Sequence, residues 1–335
     1  MEQLEVDLAP KVRLKWTGLL GVGSRYSFLR CERARTEEGT WILGDKRHTE
    51  KMINLLGLGA AKAVDTPMVR LRDSDTDESR APLDSHSATL YRRCVGLARY
   101  DRAHRGDKSF VVKELSHGLA SPTLGDMARL RRYVRYLKGC LDEGVLLPAG
   151  SGGRGVVQGS DVRPLSLHGY GDSDWAGQPT TRRSTSGGAL VYSGGVVFDF
   201  SRSQSVVATS SAEAEFYAQV SLCNEGIHLK RVISFLEGEP VEFIAHCDSS
   251  AARAVASRQG AGKLKHVQVQ TLWLQGAVKQ KIVKMAKVSG ERNLSDMMTK
   301  ALDKKKLNEM KALNGIMDCT AARALPEFCV QKAGT

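Results

Sequence analysis

Four acidic residues, Asp172, Glu215, Asp248 and Asp296, stand where strand-like or helix-like patterns begin or end. Asp172 closes one strand-like run in Tyr170-Gly171-Asp172-Ser173-Asp174, and Asp248 closes another in Ile244-Ala245-His246-Cys247-Asp248. Glu215 falls in the first turns of a long helical pattern, and Asp296 in the first turn of a later one. Neighbouring strand ends in one sheet would bring such carboxylates close together. Hydrolysis of a phosphodiester at neutral pH needs an activated water and a stabilised leaving oxygen, which two Mg²⁺ ions about 3.5–4 Å apart can supply. Magnesium takes oxygen ligands, so a cluster of Asp and Glu suits it where Cys and His do not. Carboxylates packed this closely repel one another, and bound cations relieve that repulsion.

Each acid also has a plain structural reading. Ser210-Ser211-Ala212-Glu213 opens the long helix as Ser-x-x-Glu, which makes Glu213 a capping-box partner. Residues two apart on a helix point about 200° from each other. Glu213 and Glu215 therefore divide the work: one caps, and the other can face a sheet. Asn293, three residues before Asp296, resembles an N-cap, and Asp248 could cap the short helix that follows it. Asp172 and Asp174 share a face if their strand continues, and spacing alone does not choose between them.

The elements that would position these acids form an alternating series. Strand patterns at Leu165–Gly171, Ala189–Tyr192 and Val196–Phe200, with a hairpin at Ser193-Gly194-Gly195, lead into a helix from Ser211 to about Leu236. A buried-strand pattern at Val241–Cys247 follows, then helices at Ser250–Ser257 and Leu272–Val278, a strand at Lys281–Val288 and a final helix from Leu294. A meander followed by alternation predicts an α/β fold, a mixed sheet flanked by helices. Upstream, Lys46–Leu58 reads as helix, and Thr89–Leu147 is helical in pattern. Asp126–Leu137 carries an apolar face beside Arg129, Arg131, Arg132, Arg135 and Lys138, which would either lie along a phosphate backbone or be solvated. The Gly- and Ser-rich run at 149–161 reads as a linker between domains over 1–148 and 162–302, and 303–335 as a basic tail.

The chain has 335 residues, 41% hydrophobic and 26% charged, enough for two domains with a sizeable core. Its formal charge of +12 suits a polyanionic partner. No uninterrupted apolar run is long enough to span a bilayer, and Met1-Glu2-Gln3-Leu4-Glu5 lacks a secretory pattern, so no membrane partner is expected. Seven scattered cysteines without a C-x-x-C pair read as reduced thiols of an intracellular protein. Cys223 and Cys247 look like small buried apolar residues, and Trp175 is expected in the core.

Five blocks, in order, resemble the ribonuclease H domain of copia-type retrotransposon Pol polyproteins. They are Tyr170-Gly171-Asp172-Ser173-Asp174-Trp175-Ala176-Gly177 with Arg182-Arg183-Ser184-Thr185-Ser186-Gly187-Gly188, then Ser203 to Ala218, Cys247-Asp248-Ser249-Ser250, Lys265-His266-Val267, and Asn293-Leu294-Ser295-Asp296-Met297-Met298-Thr299-Lys300. The resemblance implies a ribonuclease H-like mixed five-stranded sheet with flanking helices. It also implies that Asp172 (and not Asp174), Glu215, Asp248 and Asp296 bind two Mg²⁺ or Mn²⁺ ions and cut the RNA strand of an RNA–DNA hybrid. No small-molecule cofactor is implied. Arg182, Arg183, Lys265 and His266 are candidate nucleic-acid contacts, His266 being equally suited to a structural role between helices.

The preceding segment, smaller and mostly helical, resembles the thumb or connection part of the same family's reverse transcriptase. Tyr91-Arg92-Arg93-Cys94-Val95-Gly96-Leu97, Val111-Val112-Lys113-Glu114-Leu115-Ser116 and Arg132 to Gly139 carry that likeness. Three departures stand out. His104-Arg105-Gly106-Asp107 replaces the family's usual Thr-Arg-Pro-Asp, Gln268 replaces an acidic residue, and Ser289-Gly290-Glu291-Arg292 holds no histidine before the fourth acid. No Asp-Asp dipeptide occurs, so polymerase activity is not expected of this chain. The rest of a Pol polyprotein is one implied partner, and a catalytically inactive nucleic-acid-binding remnant is the alternative reading.

Overall fold

The computed structural model describes residues 20–28, 31–69, 77–102, 105–149, 165–260 and 272–327. Within them lie two five-stranded sheets. The first is antiparallel, with order β1 (Ser24–Phe28), β2 (Cys31–Thr36), β3 (Gly39–Leu43), β4 (Glu143–Pro148) and β10 (Ile316–Asp318). Helices α1 (Lys46–Leu55), α2 (Ser85–Asp101), α3 (Gly106–His117) and α4 (Leu124–Gly139) supply most of the regular structure upstream of residue 148, as expected. The sheet itself was not legible, because its partners β4 and β10 lie far from β1–β3 along the chain.

Residues read as a basic tail belong to this sheet. Helix α9 (Lys304–Leu313) starts at Asp303, whose side chain accepts from the Lys306 backbone N–H, and it buries Leu307 and Met310 while Lys304 and Lys305 face solvent. Then β10 pairs with β4, Ile316 opposite Val145. Of the lysines that suggested a basic tail, Lys304 and Lys305 lie on the outer face of a packed helix and Lys311 is buried.

Helix α4 is fixed at its start by a capping box between Thr123 and Asp126 and buries Leu130, Tyr133, Val134 and Leu137. Its basic residues, exposed at Arg131 and half-buried at Arg132, Arg135 and Lys138, are engaged within the chain. Arg131 donates to the Leu56 carbonyl at 3.2 Å, Arg132 to Thr66 Oγ1 at 2.7 Å, Arg135 to the Lys62 carbonyl at 2.7 Å and Lys138 to the Ala61 carbonyl at 3.0 Å. They fasten the 56–66 segment, satisfying carbonyls that have no sheet or helix partner.

The second sheet is the mixed one predicted. Its order is β7 (Gly195–Ser203), β6 (Thr185–Tyr192), β5 (Ser166–Asp174), β8 (Glu242–Cys247), β9 (Lys284–Lys287). The first three strands are antiparallel, and β8 and β9 run parallel to β5. Ser193 and Gly194, both at positive φ (51° and 80°), make the tight β6–β7 turn. Helices α5 (Ser211–Glu237), α6 (Ser250–Ser257), α7 (Trp273–Lys279) and α8 (Asp296–Thr299) flank it. On one face Phe216, Leu222 and Cys223 of α5 pack with Leu167, Phe243, Ala245 and Cys247. Gly226 permits that approach: a Cβ there would stand 2.1 Å from the Phe243 ring.

The other face of the sheet shares a core with the upstream helices. Tyr170, Ala189, Val191 and Val196, with Leu294, Met297 and Met298, join Tyr91, Val95, Val111, Leu130 and Tyr133 in one apolar cluster. Buried ionic groups lie along the same junction. Arg105 bonds both Asp107 oxygens at 2.7 and 2.8 Å and Glu143 at 2.9 Å, Lys311 reaches Glu143, and Tyr136 donates to Asp107 at 2.7 Å. Burial opposes charge on Asp107, yet the Arg105 guanidinium holds its carboxyl well below the usual range. Ser109 of α3 donates to Asp199 of β7, linking the two sheets' neighbourhoods directly. Arg105-Gly106-Asp107, where the sequence departs from the family pattern, is therefore a buried structural element.

Candidate active site

The β5–β8 register brings the first pair of acids together. Tyr170 stands beside His246 on parallel strands, so Asp172 and Asp248, each two residues further on, emerge on the same face at the same end of the sheet. Helix α5 brings the third. Ser210 caps its start by accepting from the Glu213 N–H at 3.2 Å. Glu213, fully buried, accepts from the backbone N–H and hydroxyl of Thr209 at 2.8 and 2.7 Å. Glu213 thus secures the helix start, one residue earlier than a reciprocal capping box would. Glu215 turns to the sheet, and its Oε1 accepts from the Ser173 backbone N–H and hydroxyl at 3.2 and 2.9 Å.

The fourth acid comes from α8. Asn293 does not cap that helix. Its amide donates to the Gly171 carbonyl at 3.0 Å, and its Oδ1 accepts from the Ser295 hydroxyl at 2.7 Å. Gln219, one turn beyond Glu215, aims its amide at the same carbonyl at 3.3 Å and at the His246 carbonyl at 3.4 Å. Strands β5 and β8, helix α5 and the α8 approach are thereby stitched at one point, beside Asp172. Asp248 is free of capping as well, because Ser249 caps α6.

The electrostatics of the cluster follow from burial and crowding. Burial pushes the Glu215 carboxyl up to about 8, with Asp172 and Asp248 adding to the rise and Ser173 opposing it. Burial likewise pushes Asp172 up to about 6, against the pull of Lys300. Lys300 Nζ lies 2.8 Å from Asp296 and 3.5 Å from Asp172, while the Thr299 hydroxyl donates to Asp172. Glu215 Oε2 is buried without any hydrogen-bond partner. Such an orphaned oxygen suits a bound cation. Ligand atoms of Glu215, Asp248 and Cys247 lie within 4.8 Å of one another. Burial raises the Cys247 thiol to about 12, which leaves the carboxylates as the hard-cation donors of the cluster.

The structure thus gathers all four predicted acids at one end of the sheet. Arg182 and Arg183 are exposed on the loop between β5 and β6, near that end, with Arg182 in the left-handed region (φ 55°). Lys265 and His266 lie outside the described residues, as does most of the expected linker. Trp175 departs from expectation: it is 48% exposed, its ring held over the surface by donation to the Ala208 carbonyl at 3.0 Å. The indole N–H needs a partner and finds it in that carbonyl. Cys223 and Cys247 are buried as expected. Sequence reasoning missed Lys300, Gln219 and the true role of Asn293. The spacing of Asp296 and Lys300, i and i+4 on a helix, was the one available signal.

No protein-family model matches the chain. It is 28% identical over 302 residues to the retrovirus-related Pol polyprotein from transposon TNT 1-94 of Nicotiana tabacum, which covers 89% of this chain and 22% of the relative. It is 29% identical over 289 residues to the Pol polyprotein from transposon RE2 of Arabidopsis thaliana, covering 83% of this chain and 18% of the relative. Among solved structures, LC11-RNase H1 in complex with an RNA/DNA hybrid matches at 14% identity and a TM-score of 0.28, over 40% of this chain and 94% of that one. The chain spans about a fifth of the length of the curated polyproteins it matches. By sequence it is a homologue of the retrovirus-related Pol polyproteins of copia-type transposons.

Proposed function

We propose that this chain carries a ribonuclease H that hydrolyses the RNA strand of an RNA–DNA hybrid with two Mg²⁺ ions, Mn²⁺ serving in their place. The reading rests on one observation: Glu215, with one buried carboxylate oxygen that has no protein partner, lies close to Asp172 and Asp248, and Asp296 joins Asp172 across Lys300. Asp172, Glu215, Asp248 and Asp296 would hold the ions, which supply an activated water and charge stabilisation of the leaving 3′-oxygen. Ser173 orients Glu215 through two hydrogen bonds, leaving its second oxygen for the cation. Thr299 fixes one oxygen of Asp172. Asn293 and Gln219 keep the strand ends at a set separation by sharing the Gly171 carbonyl. Arg182 and Arg183, exposed beside the cluster, would take phosphates of the hybrid, and contacts to 2′-hydroxyls would distinguish the RNA strand.

The test is cleavage of an RNA–DNA hybrid in Mg²⁺ by the chain and by its Asp248→Asn variant. Metal-dependent cleavage that the variant loses supports the nuclease. Hybrid binding without cleavage by the unsubstituted chain would instead establish a non-catalytic binder.

A further inference from the structure

Lys300 has no place in a four-carboxylate metal site, yet it stands between two of these acids. Its ammonium bridges Asp296 at 2.8 Å and Asp172 at 3.5 Å, and the side chain is about one-third exposed. Lys300 follows directly on the single turn of α8 with extended backbone (φ −145°, ψ 159°), and its side chain folds back over the start of that turn to Asp296. Asp172 and Asp296 are both nearly buried, so without a cation nearby their mutual repulsion would be poorly screened. Lys300 also lines a cleft of about 240 Å³, with Glu114, Asp174 and Thr185, so its ammonium has an acidic place to go when it leaves.

We propose that Lys300 is a built-in counter-cation of the metal-free site, one that divalent metal displaces from Asp172 and Asp296 into the adjoining cleft. Resting on the nuclease reading, the idea adds a specific consequence: the chain trades metal affinity for order in the empty site. An internal cation and a metal that compete for the same oxygens are negatively coupled.

The experiment is calorimetric titration of the whole chain with Mn²⁺, without nucleic acid, for the natural protein and for Lys300→Met, Lys300→Gln and Lys300→Arg. Both neutral variants should bind Mn²⁺ more tightly, by roughly 5- to 100-fold, the usual span of coupled sites. They should also melt at lower temperature without metal and gain more from its addition. Lys300→Arg, which keeps the charge, should stay near the natural affinity. Lys304→Met is the control for general charge, since Lys304 pairs with Asp65 at 3.2 Å away from the cluster, and it should leave affinity unchanged. Equal or weaker Mn²⁺ binding by the neutral variants overturns the proposal, even if the protein cleaves hybrid. Absence of Mn²⁺ binding by the natural chain would instead overturn the nuclease reading.

Discussion

The side-chain amide of Asn293 donates to the carbonyl of Gly171 at 3.0 Å, fully buried, joining the approach of α8 to the end of β5 next to Asp172. Replacing Asn293 by Ala would leave that carbonyl leaning on Gln219 alone and would strip the Ser295 hydroxyl of its acceptor. A loss of about 1–3 kcal/mol in unfolding free energy is expected, the penalty of buried polar groups left unpaired. Urea denaturation reads it, and cleavage should slow in parallel as the acids lose their spacing.

Asp248→Asn and Glu215→Gln each remove one of the proposed cation ligands. Cleavage of hybrid in Mg²⁺ should fall by more than the about 10- to 100-fold that changes behind the ligands produce. A single-turnover assay with excess protein measures this directly. Residual activity within tenfold of the natural chain would remove these residues from the site.

Acidity in the cluster should make metal-free stability depend on pH. The carboxyls of Asp172 and Glu215 titrate near 6 and 8 when folded, above their ordinary values of 3.8 and 4.5. Raised acids keep the folded chain protonated where the unfolded chain has already ionised. The stability they contribute is complete below pH 4 and is lost as pH rises through about 8, a difference on the order of a few kcal/mol. Melting curves without metal should therefore drop between pH 5 and 8. Glu215→Gln should flatten that drop, and Mg²⁺ should reverse it at the alkaline end. Stability that rises over this range would contradict the assignment.

Hybrid binding should separate two sets of arginines. Arg182 and Arg183 are exposed near the acids, whereas Arg132 and Arg135 are committed to Thr66 and the Lys62 carbonyl. Arg182→Gln or Arg183→Gln should reduce the slope of log affinity against log salt by about one. Arg135→Gln should leave that slope intact and lower stability instead. Fluorescence anisotropy over a range of salt concentrations distinguishes them.

The buried Arg105–Asp107 pair invites a simpler measurement. Asp107→Ala leaves the buried guanidinium with Glu143 alone and takes the acceptor from Tyr136, so a loss of about 3 kcal/mol is expected by denaturant titration.

The mixed sheet and its acids were legible because strands, turns and caps announce themselves locally. Ser210 and Gly238 mark both ends of α5, and the alternation of elements from residue 165 leaves few other topologies. Choosing Glu215 over Glu213 followed from the Ser-x-x-Glu capping pattern together with helical geometry. Choosing Asp172 over Asp174 did not, and needed the family resemblance. The remaining misreadings share a cause: each residue's partner lies far away in sequence. Arg131, Arg132, Arg135 and Lys138 read as either a phosphate track or a solvated face because the acceptors they serve at 56–66, three carbonyls and the Thr66 hydroxyl, carry no pattern of their own. Lys304–Leu313 looked like a tail because β4, which its following strand joins, was not visible as a sheet edge. Asn293 looked like a cap because Gly171 could not be seen beside it.

Met297 and Met298 follow Asp296 directly, and their methyl ends press on Gly106 at the start of α3, where a Cβ would meet them at 2.7 and 2.4 Å. The fourth acid is therefore braced from outside the sheet it serves, by a helix encoded nearly two hundred positions earlier. A fragment trimmed to 162–302 would bare Tyr170, Val191, Leu294 and both methionines to water. Such a fragment should aggregate even though all four acids are present.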